Sequence, residues 1–526
     1  MALSDSQSEA NFAAARAVLR RLREEGHQAY LAGGCVRDLL LGRSPKDFDV
    51  ATSATPDIVL DLFPRTFAVG AHFGVVLVSA EIDGLATLTE VATFRYDGAY
   101  SDGRHPDAVR YTLSAEEDVA RRDFTINGLL LDLERLEALA DERQEHTSGA
   151  KAPEASAGLL PGMNPRPTLK QPTLKQPAVE QITLKRLGLN VLGLEAGEFG
   201  SLTRAVLDFA GGLEDLKAGV VRAIGRPEQR FEEDHLRMLR AVRFASRFGF
   251  AIEPGTFTAI QGLAAKISGV SNERVREELT RMLIEGQARR AFELLDASGL
   301  LVQVLPEVSR LKGVEQPPEY HPEGDVWTHT LMLLQQLEPG CAMTLGWGAL
   351  LHDIGKPATF QPPSGPGDRI RFNGHVEVGV KIGEEICRRL RFSNEETAQI
   401  LALIQNHMRF SDVPHMKTST LKRFFRLDRF PEHLALHRMD CRASSLDMTG
   451  HLENYYFAKE RYEAMPEEQV HPEPLLTGRD LIAAGYKPGP AFKAMLLAVE
   501  EAQLEGAIAT AEEAMALVRA QLPPAT

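Results

Sequence analysis

The chain changes character near Phe231, and that change limits its architecture more than any other feature. Between residues 30 and 132, short apolar runs alternate with turn residues. A strand over Ala29–Ala32 leads into Gly33-Gly34 and a helix over 36–41, ended by Gly42; a further strand is expected over 47–51. Runs 74–80 and 86–94, rich in Val, Leu and Thr, flank Asp83-Gly84, a two-residue hairpin signal. An amphipathic helix over 10–25 precedes them. From Phe231 onward Leu, Ala, Glu and Arg dominate without convincing strand pairs, so helices are expected throughout. The expected class is α+β, a sheet-containing head followed by helical units.

At 526 residues the chain has room for about three or four units of roughly 150 residues each. Expected boundaries are 1–29 (N-terminal helix), 30–225 (head), 226–315 (helical neck and body), 316–470 (a second helical unit) and 471–526 (helical tail). Proline-rich stretches at 316–322, 362–367 and 472–476 punctuate the helical part. Residues 134–205 interrupt the head. They contain a tandem Pro-Thr-Leu-Lys-Gln repeat starting at Pro167 and Pro172, and read as a poorly ordered insertion.

A net charge of −14 repels polyanions overall, so any nucleic-acid site must be a local basic patch. Cys35, Cys341, Cys387 and Cys441 are scattered without a CxxC pair, which excludes a disulfide framework or zinc ribbon and fits a reducing cytoplasm. The acidic, polar start MALSDSQSEA does not read as a secretory or transit peptide. No apolar run approaches the ~20 residues needed to span a bilayer. The expectation is a cytoplasmic protein with no membrane partner.

Asp47-Phe48-Asp49 is the sharpest local signal. In an extended strand both carboxylates share a face while Phe48 turns inward. Paired carboxylates suit Mg²⁺, which takes hard oxygen ligands and leaves positions for phosphate oxygens. An isolated DxD is more often a solvent-facing strand end, but this one has company. Gly33-Gly34 stands where a strand enters a helix, a setting in which backbone N–H groups receive phosphate. Arg37, one turn in, adds a cation, and Asp38 reads as a structural partner of an arginine. Glu90, on a strand able to neighbour 47–49, completes an acidic triad. Together these residues describe a two-metal nucleotidyl-transfer site.

These residues also carry a resemblance. LAGGCVRDLLLGRSPKDFDVAT, RRDFTINGLLLD (121–132) and EDHLRMLRAVRFASRFGF (233–250) resemble the class II tRNA nucleotidyltransferases and bacterial poly(A) polymerases, over roughly 30–133 and 206–310. The resemblance implies a polymerase-β-like nucleotidyltransferase head, an all-helical neck and body, and untemplated addition of CCA, or part of it, to tRNA 3′ ends from CTP and ATP. Carried over, Asp47 and Asp49 would hold Mg²⁺ with Glu90 as third carboxylate, and Gly34 and Arg37 would bind triphosphate. Arg122 would contact the nucleotide and Asn127 its ribose. Asp234 and Arg237 would act as a protein template. A carboxylate accepts from an exocyclic amine and a guanidinium donates to a ring acceptor, so one pair reads both C and A. Arg237, Arg240, Arg243 and Arg247 recur at helical spacing; beside Glu233-Asp234 the stripe reads as a surface for the incoming triphosphate and the tRNA end. Two departures stand out: Gly128 in place of the usual alanine, and the insertion between Asp132 and the 211–216 turn.

His329, His352-Asp353, His375, His407 and Asp440 punctuate the third quarter. Each histidine alone is more often structural, but ligands on separate helices converge readily inside a bundle. The set resembles the HD phosphohydrolase superfamily, in particular the HD domain fused to some bacterial CCA-adding enzymes. His329, His352, Asp353 and Asp440 match the one-metal pattern, and His375 and His407 the extra ligands of two-metal versions. Imidazoles favour Ni²⁺, Co²⁺, Mn²⁺ or Fe²⁺ over Mg²⁺, and the implied chemistry is hydrolysis of 2′,3′-cyclic phosphates or related phosphoesters at damaged tRNA ends. A degenerate HD scaffold is the bland alternative. For the whole chain, CCA addition leads. Addition of A alone, an HD hydrolase with an inactive head, and a tRNA-binding module are the alternatives. Intact Asp47, Asp49 and Arg37 count against the last two.

Overall fold

The computed structural model describes residues 5–67, 74–98, 109–139, 199–444 and 452–521. The chain divides into two compact units, Met1–Leu263 and Ala264–Thr526, and the division falls inside the neck and body expected over 226–315.

The first unit holds a seven-stranded sheet. Its strands are β1 (Ala29–Ala32), β2 (Val50–Thr52), β3 (Thr66–Phe67), β4 (Val75–Ile82), β5 (Leu85–Thr93), β8 (Leu130–Leu131) and β9 (Val206–Leu207), in the order β3-β4-β5-β2-β1-β8-β9. Only β2 and β5 run parallel; the other neighbours are antiparallel. The expected hairpin is β4–β5. Ile82 pairs with Leu85 across Asp83-Gly84, whose φ values of 51° and 78° give the turn the twist that matches the strands. Helix Asp5–Glu24 covers this sheet, and Phe12 packs on Phe48 with ring centroids 5.3 Å apart. A short ribbon of β6 (Arg95–Asp97) and β7 (Val109–Tyr111) stands beside it.

The strand expected over 47–51 starts only at Val50. Asp47–Asp49 forms the extended lead-in, where only the Asp49 carbonyl is paired, accepting from Ala32 N–H (2.9 Å). Pro45 just upstream has no N–H to donate to a ladder. The expected alternation survives this shift: Phe48 is buried and Asp47 is exposed.

Within the insertion expected over 134–205, residues 140–198 lie outside the described residues. Its flanks are well tied. Asp132 N–H donates to the Ala205 carbonyl (3.0 Å), and β9 returns directly beside β8. The chain after Phe231 is not wholly helical, because β11 (Ala251–Ile252) pairs in parallel with β10 (Val220–Val221).

Among the described residues the second unit is helical, apart from one isolated bridge between Gln361 and Arg371. Residues 316–322, read as a boundary, belong inside this unit, where Gln316 accepts from the buried Lys356 ammonium (2.7 Å). The tail residues 475–518 have a small core of their own, built on Leu476, Leu481, Met495, Val499 and Val518.

Candidate active sites

In the first unit, sheet register creates an acidic cluster. The parallel pairing Val50↔Val91 sets Asp49 beside Glu90 at the open end of β2, with Asp47 two residues upstream on the same face. Asp49 bears the cost of this crowding. Desolvation first, then the charges of Glu90 and Asp47, push its carboxyl up to about 7, with Arg122 opposing. Glu90 is raised by desolvation and by Asp47. Repulsion of this kind is relieved by a cation shared among the three groups, so the donor set fits a hard divalent ion.

Cations are clamped on the neighbouring loop. Helix Gly34–Leu40 begins after Gly33, whose φ of 70° favours glycine; a Cβ there would also lie 3.1 Å from Arg122 Nη1. Arg37 is buried and held on two sides. Its Nε donates to Asp38 (2.8 Å) and its Nη1 to the Asn127 side-chain oxygen (2.5 Å). The structural role expected for Asp38 is what the geometry shows. Arg122 donates through Nε and Nη2 to Asp118 (3.2 and 2.9 Å). Asn127 is also buried, and its amide donates to Asp123 (3.0 Å), so both ends of its side chain are bonded within the protein.

Asp234 lies between helices Pro227–Glu233 and Leu236–Phe248, capping the second through Leu236 N–H (3.0 Å). Arg237, one turn on, donates to Glu233 (2.6 Å) and to the Arg230 and Arg121 carbonyls (3.0 and 3.2 Å). The arginine stripe is not an open basic face. Arg240 grips Asp123 through Nε and Nη2 (2.9 and 2.6 Å), Arg243 is buried against the Phe244 ring, and Arg247 lies 3.7 Å from Asp38. Carboxylates on the head bind this helix from within the unit. Burial would raise Asp123, yet Arg240 and Asn127 outweigh it and hold the carboxyl at about 2. Sequence reasoning missed Asp118 and Asp123, although RRD and its upstream acidic turn were in view.

The second unit gathers all six expected HD residues. His329 projects from helix Val326–Leu334, His352 and Asp353 follow Met343–Leu351, His375 opens His375–Arg389, His407 ends Asn394–Asn406, and Asp440 lies on Phe430–Ala443. Gly355 permits the convergence, since a Cβ there would meet the His375 carbonyl oxygen at 2.0 Å. Asp353 is the hub. His352 Nε2 lies 3.1 Å and His329 Nε2 3.9 Å from Oδ2; His375 and His407 Nε2 lie 3.8 and 3.7 Å from Oδ1. Asp440 Oδ1 stands 3.0 Å from His329 Nε2.

The tautomers follow from chemistry. Nδ1 of His352, His375 and His407 each sits 2.7–2.9 Å from a backbone carbonyl three residues earlier, namely that of Ala349, Phe372 and Ile404. A carbonyl only accepts, so Nδ1 of each ring is the donor there and Nε2 is the nitrogen turned toward Asp353. All three Nε2 atoms are buried without a hydrogen-bond partner. Buried Nε2 atoms gathered around a carboxylate are a donor set that fits a metal ion. His329 is pinned instead by Glu323, 2.7 Å from Nδ1, the carboxylate–histidine arrangement that orients metal ligands. Burial lowers His407 to about 4; for His329 burial is outweighed by Asp440 and Glu323, which raise it to about 9. Glu323, His321 and Lys356 were missed from sequence. Lys356, whose Nζ lies 2.7 Å from Asp353 Oδ2, follows His-Asp by three residues, a spacing that could have signalled it.

Known families match the chain in three places. Residues 29–144 match the poly A polymerase head domain, 249–311 the probable RNA and SrmB-binding site of polymerase A, and 326–440 the HD domain. The A-adding tRNA nucleotidyltransferase of Deinococcus radiodurans is 34% identical over 60% of this chain and 74% of its own length. The chain belongs to the class II tRNA nucleotidyltransferase and bacterial poly(A) polymerase family, with an HD domain fused to it. A CCA-adding enzyme of Lactobacillus gasseri is 27% identical over 96% of both chains. The CCA-adding enzyme of Geobacillus stearothermophilus is 33% identical, and there the chain spans about half of the relative's length, 54%. The same fold appears in the crystal structure of the Bacillus stearothermophilus CCA-adding enzyme in complex with CTP, at TM-score 0.61 and 24% identity over 97% of this chain and 98% of that one. No helix among the described residues is long and apolar enough to cross a membrane.

Proposed function

We propose that the chain adds C and A residues to tRNA 3′ ends without a nucleic-acid template, and that its HD unit is a metal-dependent phosphohydrolase. The observation that carries the first reading is the Asp47, Asp49 and Glu90 cluster, with the clamped Arg122 acting on Asp49. A Mg²⁺ bound by these carboxylates supplies charge neutralisation at the transferring phosphoryl. Gly34 and Arg37, the latter fixed by Asp38 and Asn127, bind the triphosphate, and Arg122, fixed by Asp118, contacts the nucleotide. The RNA 3′-oxygen forms a bond to the α-phosphorus as the bond to pyrophosphate breaks. Asp234 and Arg237 select cytosine or adenine by the amine-beside-acceptor pattern, and Glu233 steadies the guanidinium. Arg240 and Arg243 brace this helix against the head.

A full-length relative named as CCA-adding supports addition of both bases. The Deinococcus relative is named as A-adding but matches 60% of this chain, against 96% for the relative named as CCA-adding, so the A-only reading is the less favoured one. Sequencing the products formed from CTP and ATP on tRNA ending at the discriminator base decides between them: CCA is expected, whereas addition only to tRNA already ending in CC refutes the first reading.

In the HD unit, His329, His352, Asp353 and Asp440 would hold one ion, and Asp353, His375 and His407 a second. The imidazole-rich set favours Ni²⁺, Co²⁺, Mn²⁺ or Fe²⁺. A metal there supplies Lewis-acid activation for phosphodiester hydrolysis. The substrate proposed is a 2′,3′-cyclic phosphate or related phosphoester at a damaged tRNA end, and the compartment the cytoplasm.

A further inference from the structure

The cleft above the HD cluster has a wall that metal chemistry does not require. A cavity of about 1020 Å³ runs from Asp353, His375 and His407 to a second rim made by Tyr320, Arg369 and Arg371. That rim is built rather than incidental. The segment after Phe360 folds back on itself, with Gln361 and Arg371 exchanging both backbone hydrogen bonds (2.9 and 3.1 Å). Residues 369 and 371 share one side of this arm. Asp368 orients Arg371 (2.6 Å). Arg369 donates to the Tyr320 hydroxyl (3.3 Å), and its guanidinium lies 5.8 Å from the Tyr320 ring centroid.

Tyr320 is nevertheless 59% exposed, and Met408 on the facing rim is 51% exposed. An exposed aromatic face held by arginine, in a cleft that also receives the Lys356 ammonium, is the pairing that single-stranded nucleic acid uses: bases stack on the ring and phosphates meet the cations. The cleft carries carboxylates as well, Asp353 pairing with Lys356 (2.7 Å) and Glu319 and Asp440 lining it, so the arginines at the rim act as local phosphate contacts and not through a net positive field. A site for small phosphoesters needs only the metal ligands.

We propose that this cleft receives the 3′ end of an RNA strand rather than a free mononucleotide, with the terminal base on Tyr320 and a backbone phosphate at Arg369 and Arg371. The proposal rests on the hydrolase reading and names the substrate class of that site. The test uses the full chain and three compounds: an eight-nucleotide RNA ending in a 2′,3′-cyclic phosphate, 2′,3′-cyclic AMP, and bis(p-nitrophenyl) phosphate. Wild type is expected to favour the RNA over cyclic AMP in kcat/KM. Tyr320→Ala and Arg369→Ala should each lose about tenfold of that preference, in KM rather than kcat, with unchanged hydrolysis of bis(p-nitrophenyl) phosphate and unchanged metal content as the check that the HD unit of each variant is folded. A second readout needs no turnover. The same RNA carrying a 3′-terminal 4-thiouridine, irradiated with wild type in EDTA, should cross-link to the peptide containing Tyr320.

Equal kcat/KM for RNA and cyclic AMP, while bis(p-nitrophenyl) phosphate is hydrolysed, overturns the proposal and leaves the hydrolase reading intact. If no compound is hydrolysed with Ni²⁺, Mn²⁺, Co²⁺ or Fe²⁺, the hydrolase reading falls. The cross-link then decides alone: an adduct at Tyr320 keeps the cleft as an RNA-end site, and adducts only elsewhere overturn it.

Discussion

Replacing Asp49 by asparagine should make the metal-free head more stable while destroying its activity. The carboxyl sits at about 7 in the folded chain against 3.8 in the unfolded one, because desolvation and the charges of Glu90 and Asp47 act on it together. The folded state therefore holds the proton more tightly than the unfolded state between those values. Stability contributed by this group is lost as pH rises from about 4 to about 7, and the full cost applies above that window. Three units at about 1.4 kcal/mol each amount to about 4 kcal/mol at pH 8. The substituted amide carries no charge and should recover about 2–4 kcal/mol of it. Amide hydrogen exchange in β2 and β5, compared between wild type and Asp49→Asn at pH 8 in EDTA, reads the difference directly. Added Mg²⁺ should slow exchange in wild type, by binding the folded state, and leave the variant unchanged. Nucleotide addition by the variant should be abolished, and so should addition by Asp47→Asn. If the β2 amides of Asp49→Asn exchange as fast as those of wild type under these conditions, the three carboxylates do not form a strained, cation-seeking cluster.

Other expectations follow from the same geometry. Asp234→Ala or Arg237→Ala should degrade base choice more than turnover, by about 1–3 kcal/mol of discrimination; incorporation of UTP and GTP measured against CTP and ATP checks this, and unchanged preference rejects the template role. His352→Ala or Asp353→Ala should strip metal from the HD unit and end hydrolysis there while CTP and ATP incorporation stays nearly intact, with the converse for Asp47→Asn; metal analysis beside both activities is the measurement, and loss of nucleotide addition in the HD variants would refute independent sites. Gly355→Ala places a methyl 2.0 Å from the His375 carbonyl oxygen. It should cost about 1–3 kcal/mol and release metal from the His375–His407 side first, seen as a fall in bound metal per chain; full occupancy would show that the helix start has slack.

Short-range patterns in the head were legible because each is enforced locally. Asp83-Gly84 dictates a two-residue hairpin whatever surrounds it, and the burial of Phe48 follows from alternation even though the strand begins at Val50. Glu90 as a neighbour of Asp49 was legible only as a possibility, because register between β2 and β5 is set by a parallel pairing across forty residues. The arginine stripe shows the opposite limit. Helical spacing placed Arg237, Arg240, Arg243 and Arg247 on one helix, but spacing has no information about which surface the helix meets. Asp123 and Asp38, far away in sequence, turn that stripe from an open face into a bonded seam.

In the HD unit the residue types were readable and the protonation pattern was not. Six ligands spread from 329 to 440 announce a metal only if helices bring them together, and the sequence offers His-Asp-Ile-Gly-Lys as the one compact sign. What makes the cluster a metal site rather than a buried histidine network is the backbone. Each of His352, His375 and His407 donates its Nδ1 proton to a carbonyl on its own preceding turn, which leaves three buried Nε2 atoms turned toward Asp353 as potential metal ligands. Glu323 belongs to the same logic. It lies six residues before His329 in a Pro-Glu-Gly turn that reads as linker, yet its oxygen stands 2.7 Å from Nδ1 and fixes which ring nitrogen His329 turns toward Asp440. A turn that looks like punctuation thus orients the ligand, and residues two or three positions upstream form the outer rim of the same cleft.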